Sequence, residues 1–125
     1  MQIVVNIQVV SIMQKDSLDM EDSDRERIKN TISSDSADKV IITHGTDTMI
    51  TTAKALMGIE NKTIVLTGSM YPAQYRDSDA VFNLGCALIA AQTLDAGIYI
   101  AMNGRIFDPL KCLKNVEQNR FEDRF

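Results

Sequence analysis

Val40-Ile41-Ile42-Thr43-His44-Gly45-Thr46-Asp47-Thr48-Met49 decides how this chain is read. An apolar run of the kind buried in a sheet stops in a turn. That turn carries two hydroxyls, one carboxylate and the only histidine of the chain. The residues beyond it, Thr51-Thr52-Ala53-Lys54-Ala55-Leu56, have helical character. Strand, polar turn and helix in succession place reactive side chains at the carboxyl edge of a parallel sheet, where open α/β folds collect ligands.

Working outward, the pattern repeats. Lys39 to Thr43 is expected as a strand and Thr48 to Met57 as a helix, with Gly58 just past its end, where a positive φ suits glycine. Thr63 to Thr67 does not alternate, so it is expected as a strand buried on both faces. Gly68 to Ser78 forms a loop carrying Tyr71-Pro72, and Asp79 to Leu94 a helix apolar nearly all round, the kind packed on more than one side. Gly97 to Met102 and Arg105 to Phe107 flank Asn103-Gly104, a strong hairpin cue. Towards the amino terminus, Ile3 to Met13 is rich in Val and Ile and is expected as a long strand, or as a lead-in with a strand at Ile7–Met13. Gln14 to Met20 is a loop. Ser23-Asp24-Arg25-Glu26 fits a capping box, opening a helix over Asp24–Ile32 with Ile28 and Ile32 on one face; a loop of turn-formers spans Ser33 to Asp38. From Pro109 the chain turns polar and charged. Strands and helices alternate at βαβ spacing. The expected class is α/β, a three-layer, mostly parallel sheet of flavodoxin-like or Rossmann-like type with helices on both faces.

Composition narrows the function. The chain has 125 residues, 45% of them hydrophobic, which suits one globular domain rather than a disordered chain. A net charge of -4 argues against nucleic acid or an anionic membrane as a partner through bulk charge. No apolar run approaches the ~20 residues that span a bilayer. Residues 1–13 lack the basic start and cleavage site of a signal peptide. Cys86 and Cys112 have no zinc-type spacing, and a reducing cytoplasm is the simpler setting for them.

The chemistry concentrates in few residues. Thr46 offers a hydroxyl that a base must activate before it attacks; Asp47 beside it suits a cationic substrate group. Against this stands the reading of Asp47 and Thr48 as caps of the next helix, a commoner use of these residue types. A lone His44 builds no metal site and is commonly a structural hydrogen-bonding group; a general-base role is the competing reading. Lys114 suits proton transfer if its surroundings favour the neutral amine, or is a solvated surface lysine. Ser17 follows a strand and its hydroxyl suits a carboxylate, or it belongs to an ordinary polar loop. Gly68-Ser69-Met70 follows a strand as well, where backbone groups contact ligands or simply turn. Asn83, inside an apolar helix, is expected as a satisfied buried amide. No glycine-rich phosphate loop is present, which argues against a nucleotide binder.

Five ordered blocks then carry a resemblance: Lys15-Asp16-Ser17-Leu18-Asp19-Met20, Ile42 to Met49, Thr63 to Pro72, Asp79 to Gly85 and Tyr99 to Phe107. They resemble the bacterial L-asparaginase (asparaginase/glutaminase) family, His44-Gly45-Thr46-Asp47-Thr48 being its most specific signature. The likeness is greatest to short members without a carboxy-terminal domain. It implies the amino-terminal domain fold of that family over residues 1–125, lacking the first strand and so incomplete. It implies hydrolysis of the side-chain amide of L-asparagine, or of L-glutamine, to the acid and ammonia, with no metal or cofactor. Thr46, Lys114 and Asp47 then match the family's threonine, lysine and aspartate. Asp47 would hold the substrate ammonium and Ser17 its carboxylate, with Asp16, Gly45, Thr46 and Ser69 at the substrate. A cytoplasmic homo-oligomer, dimer or tetramer, is also implied. Two departures matter. Tyr71 stands where many members have arginine. The sequence has no Thr-Gly-Gly-Thr-Ile turn, whose first threonine is the usual nucleophile. The chain alone is therefore expected to be inactive or very weak, and the alternative is a non-catalytic amino-acid-binding or assembly subunit completed by a partner chain.

Overall fold

Thr63–Thr67 is the axis of the molecule. All five of its residues are buried, as the unalternating apolar run requires. The computed structural model describes residues 2–71 and 78–124. In chain order the elements are α1 (Asp22–Ser34), β1 (Lys39–Thr43), α2 (Met49–Ala55), β2 (Thr63–Thr67), α3 (Ala80–Thr93), β3 (Gly97–Met102), β4 (Arg105–Phe107), β5 (Cys112–Asn115) and β6 (Arg120–Asp123). Short 3-10 turns lie at Ser17–Asp19 and Pro109–Lys111.

The main sheet has the order β1-β2-β3-β4. β1 with β2 and β2 with β3 are parallel, and β3 with β4 is antiparallel. Alternate residues of β2 and β3 face opposite sides. Ile64, Leu66, Ile100 and Met102 join Met49, Ala53 and Leu56 of the α2 region and Ile28 and Ile32 of α1 in one core cluster. Val65 and Ala101 join Ala87, Ala90 and Ala91 of α3 in the other. Helices therefore cover both faces, and the expected α/β layering is present. Each fully buried aliphatic side chain here contributes about 1.5–3 kcal/mol.

The strands at Lys39–Thr43, Thr63–Thr67, Gly97–Met102 and Arg105–Phe107 lie where the sequence pattern put them. Asn103 and Gly104 both take positive φ, 54° and 73°, the condition for a type I′ hairpin turn. Gly58, at φ 99°, ends the α2 region as expected.

Four expectations need correction. Residues 2–13 form no regular strand. A strand needs a ladder partner, and among the described residues none pairs with this run; Val4 and Val9 are 88% and 86% exposed. The cap of α1 is not at Ser23. The helix begins earlier, and the Glu21 amide donates to the Asp24 carboxylate at 2.9 Å, so the box is Glu21–Asp24. The helix also continues through Ser34 into the expected loop. Among the described residues α3 packs on one side. Its small residues Ala87, Ala90 and Ala91 lie against the sheet, leaving Val81, Phe82, Leu84 and Ile89 exposed. Beyond these, the polar tail, for which the sequence pattern set no element, folds into the β5–β6 antiparallel hairpin. Asn119 at its turn takes φ 53°. The middle of the expected Gly68–Ser78 loop, including Pro72, lies outside the described residues.

Candidate active site

The parallel strands end together. Thr43 pairs with Thr67, and the His44 amide donates to the Thr67 carbonyl at 2.9 Å. The chain then leaves β1 through Gly45 to Thr48 and leaves β2 through Gly68 to Met70. These two turns lie back to back: a side-chain carbon on Gly68 would overlap the His44 carbonyl.

Lys114 reaches this edge from β5. Its Nζ donates to Thr46 Oγ1 at 2.8 Å and to Asp47 Oδ1 at 2.7 Å. The lysine side chain is only 16% exposed and the aspartate 45%. The hairpin that pattern reading missed is thus the element that delivers a site residue. One cation bridges a hydroxyl and a carboxylate contributed 68 and 67 residues earlier. In its neutral form such an amine would accept the threonine proton, and as ammonium it would return one.

Ser17 lies beneath the turn. It is 2% exposed, and among the described residues its Oγ has no hydrogen-bond partner. Buried hydroxyls are rarely left so. The absent side chain of Gly45 opens the space beside it, since a Cβ there would sit 2.8 Å from both Ser17 Cβ and Ser17 Oγ. Thr48 fixes the juxtaposition by donating its hydroxyl to the Ser17 carbonyl at 2.8 Å. The capping roles weighed for Asp47 and Thr48 do not appear: Thr48 makes no side-chain cap to α2, and Asp47 pairs with Lys114. Asp16 is exposed, and its carboxylate accepts the Leu18 amide at 3.0 Å.

Ser69 faces a different partner. Its hydroxyl donates to Asp79 Oδ1 at 2.6 Å. The Met70 and Tyr71 amides bind the same carboxylate at 3.0 and 3.2 Å. Asn83, 1% exposed, donates to Gly68 O at 2.8 Å and Asp79 Oδ2 at 2.9 Å, the satisfied amide its setting required. Burial alone would raise the Asp79 pKa, but these donors outweigh it and hold the carboxyl below its usual range. The β2 turn is thereby anchored to α3.

His44 is half-buried. Its Nδ1 lies 2.6 Å from the Gly45 carbonyl and its Nε2 lies 2.8 Å from Thr52 Oγ1. Arg25 Nε donates to the same Thr52 oxygen at 2.9 Å. Burial lowers the His44 pKa, the Gly45 bond opposes this, and the Arg25 charge lowers it further. Arg25 is 6% exposed, and Thr52 is fully buried. Sequence reasoning passed over both. The available signal was the spacing of Arg25 with Ile28 and Ile32, which puts the arginine on the buried face of α1.

Among the described residues no three His, Cys, Asp or Glu side chains gather as a metal site, and no helix is long and apolar enough to cross a membrane. The site defines a class: an α/β domain with a threonine, lysine and aspartate converging on the carboxyl edge of its sheet. The chain belongs to the asparaginase family, whose amino-terminal domain model matches residues 1–122. It is 47% identical over 75 residues to an L-asparaginase of Thermococcus kodakarensis, covering 58% of this chain and 23% of that protein. It is 40% identical over 76 residues to a glutamyl-tRNA(Gln) amidotransferase subunit of Methanococcus vannielii, covering 59% and 18%. A probable periplasmic L-asparaginase of Haemophilus influenzae is 34% identical over 113 residues, covering 85% and 32%. The chain thus spans a third or less of each of these relatives.

Proposed function

We propose that this edge is an amidohydrolase site that converts L-asparagine and water to L-aspartate and ammonia. The observation that carries the reading is the Lys114 bridge to Thr46 and Asp47. In the reaction the Thr46 proton passes to the Lys114 nitrogen, and Oγ1 attacks the side-chain amide carbon. The C–N bond breaks as the lysine ammonium returns its proton to the departing ammonia. Water then hydrolyses the threonyl ester, releasing aspartate and restoring the hydroxyl. Asp47 holds the substrate ammonium and Ser17 its carboxylate, so opposite charges and a buried donor orient a zwitterion at both ends. Gly45 gives the carboxylate room, and Asp16 and Ser69 shape the loops on either side. The sequence has no Thr-Gly-Gly-Thr-Ile turn, so Thr46 and Lys114 are the nucleophilic pair this reading uses. The two cysteines are free, which suits a reducing cytoplasm. The test is ammonia release from L-asparagine and L-glutamine by purified protein, with Thr46→Ala and Lys114→Met measured beside it.

A second reading has its own support. β1 is the open edge of the sheet, and residues 3–10 carry exposed Ile and Val without a ladder partner. Some relatives are named as amidotransferase subunits. On this reading the chain is an amino-acid-binding or assembly subunit that works with a second polypeptide, or with further copies in a dimer or tetramer. Aspartate binding without ammonia release, by a protein that elutes as an oligomer, would favour it.

A further inference from the structure

Arg25 is a buried cation with no carboxylate partner among the described residues: the ion pairs are Lys15–Asp24, Arg105–Asp123, Lys114–Asp47 and Arg120–Glu122. Burying a cation is costly, and although its charge acts on the nearby Asp24 carboxylate the two form no ion pair, so its hydrogen bonds call for an explanation. Arg25 donates from Nε to Thr52 Oγ1 at 2.9 Å and from Nη1 to the Met20 carbonyl at 3.4 Å.

A guanidinium has donors only and stays protonated. Thr52 Oγ1 therefore accepts from Arg25 and keeps its own proton for another acceptor. The neighbour at 2.8 Å is His44 Nε2. If Thr52 donates there, Nε2 is unprotonated, and the imidazole proton resides on Nδ1. The group 2.6 Å from Nδ1 is the Gly45 carbonyl, which only accepts. The opposite tautomer would set two lone pairs against each other at that distance and leave Thr52 facing two donors. An obligate donor at one end thus favours a single set of proton positions along the chain to Gly45.

We propose that Arg25 and Thr52 are positioning residues: they lock His44 as its Nδ1–H tautomer, which clamps the Gly45 carbonyl and fixes the peptide plane from which Thr46 and Asp47 extend. The amide is planar, so holding its oxygen sets the direction in which the chain enters Thr46. The arrangement ties α1 and α2 to the turn between β1 and α2. His44 is then not the proton acceptor of the reaction, because both its nitrogens are engaged. Its lowered pKa is consistent with an imidazole kept neutral beside a cation. The effect on ligand rests on the reading of the edge as an amino-acid site; the tautomer does not.

The chain's single histidine makes the test direct. Imidazole nitrogen NMR on the whole chain at neutral pH should show neutral His44 with the proton on Nδ1. Thr52→Val removes both hydrogen bonds at nearly constant shape, and should mix the tautomers and move the Thr46 amide resonance. It should also weaken aspartate binding about five- to tenfold, the equivalent of one hydrogen bond. Thr52→Ser should restore all three. A proton on Nε2 in the unaltered protein, or a cationic ring at neutral pH, would overturn the proposal without any variant. So would a Thr52→Val protein whose tautomer shifts while the Thr46 amide resonance stays unchanged. An unaltered protein that binds no aspartate counts against the amino-acid site instead, and the tautomer and the Thr46 amide resonance still decide the clamp.

Discussion

Replacing Ser17 by alanine should make the free protein more stable and a ligand weaker. Ser17 is 2% exposed, and among the described residues its Oγ has no partner. A buried polar group without a hydrogen bond costs about 1–3 kcal/mol. Alanine differs by one oxygen, so Ser17→Ala removes that cost while opening almost no cavity, and the bond from Thr48 runs to the Ser17 backbone and survives. We expect a gain of about 1 kcal/mol, or roughly 3–6 °C in Tm for a chain of this size. Ligand binding moves the other way. If Ser17 donates to a substrate carboxylate, losing a hydrogen bond to a charged group worth about 1.5–3 kcal/mol weakens aspartate about 10- to 150-fold. Urea unfolding gives the first quantity and titration calorimetry with aspartate the second. A Ser17→Ala protein that is less stable and binds aspartate as before would show that the hydroxyl is structural and the reasoning wrong.

Other perturbations separate the site from the scaffold. Lys114→Met should abolish ammonia release yet change stability by under about 1 kcal/mol, because the Asp47 partner is 45% exposed and such pairs contribute little; a chemical-denaturation midpoint beside an activity assay checks both. Gly68→Ala should destabilise by about 1–3 kcal/mol, since its new carbon meets the His44 carbonyl; an unchanged Tm would show that the two turns are not back to back. The His44 pKa lies below its unfolded value of 6.5, so the unfolded chain binds the proton first. The stability this contributes is fully present above pH 6.5 and is lost as pH falls through the folded value. Urea unfolding across pH 7.5 to 5 should reveal this fall, and His44→Asn, whose amide stands in for Nδ1–H, should flatten it. Burial pushes the Cys112 thiol up to about 11, so iodoacetamide at pH 8 should label Cys86, which is partly exposed, well before Cys112; equal rates would contradict the packing of β5.

Where local pattern and tertiary context agreed, the fold was legible. Val40 to Ile42 and Ile64 to Leu66 are apolar without alternation because both faces are covered, and Asn103-Gly104 supplies the two positive φ values a hairpin needs. Residues 3–10 carry the same β-branched signal and form no strand, because a strand depends on a partner that local sequence does not contain. α3 misled for a related reason. Apolar residues all round a helix register a capacity for burial, and only the Ala87–Ala91 side meets the sheet. Of the candidate site, the Thr46–Asp47 turn was visible as a strand-to-helix junction. Lys114 entered through family resemblance, since nothing local marks a lysine on a polar tail as the partner of a threonine 68 residues away. Arg25 and Thr52 were invisible as functional residues because their significance is a geometry of donors and acceptors across two helices.

The central claim is that Thr46 and Lys114 act together on an amide, and ammonia release from L-asparagine measures it most directly. Purified protein should release ammonia slowly, and Thr46→Ala and Lys114→Met should each abolish the release while their far-UV spectra stay unchanged. Release that survives both substitutions, or no release from a folded protein whose melting temperature aspartate raises, would contradict the hydrolytic account.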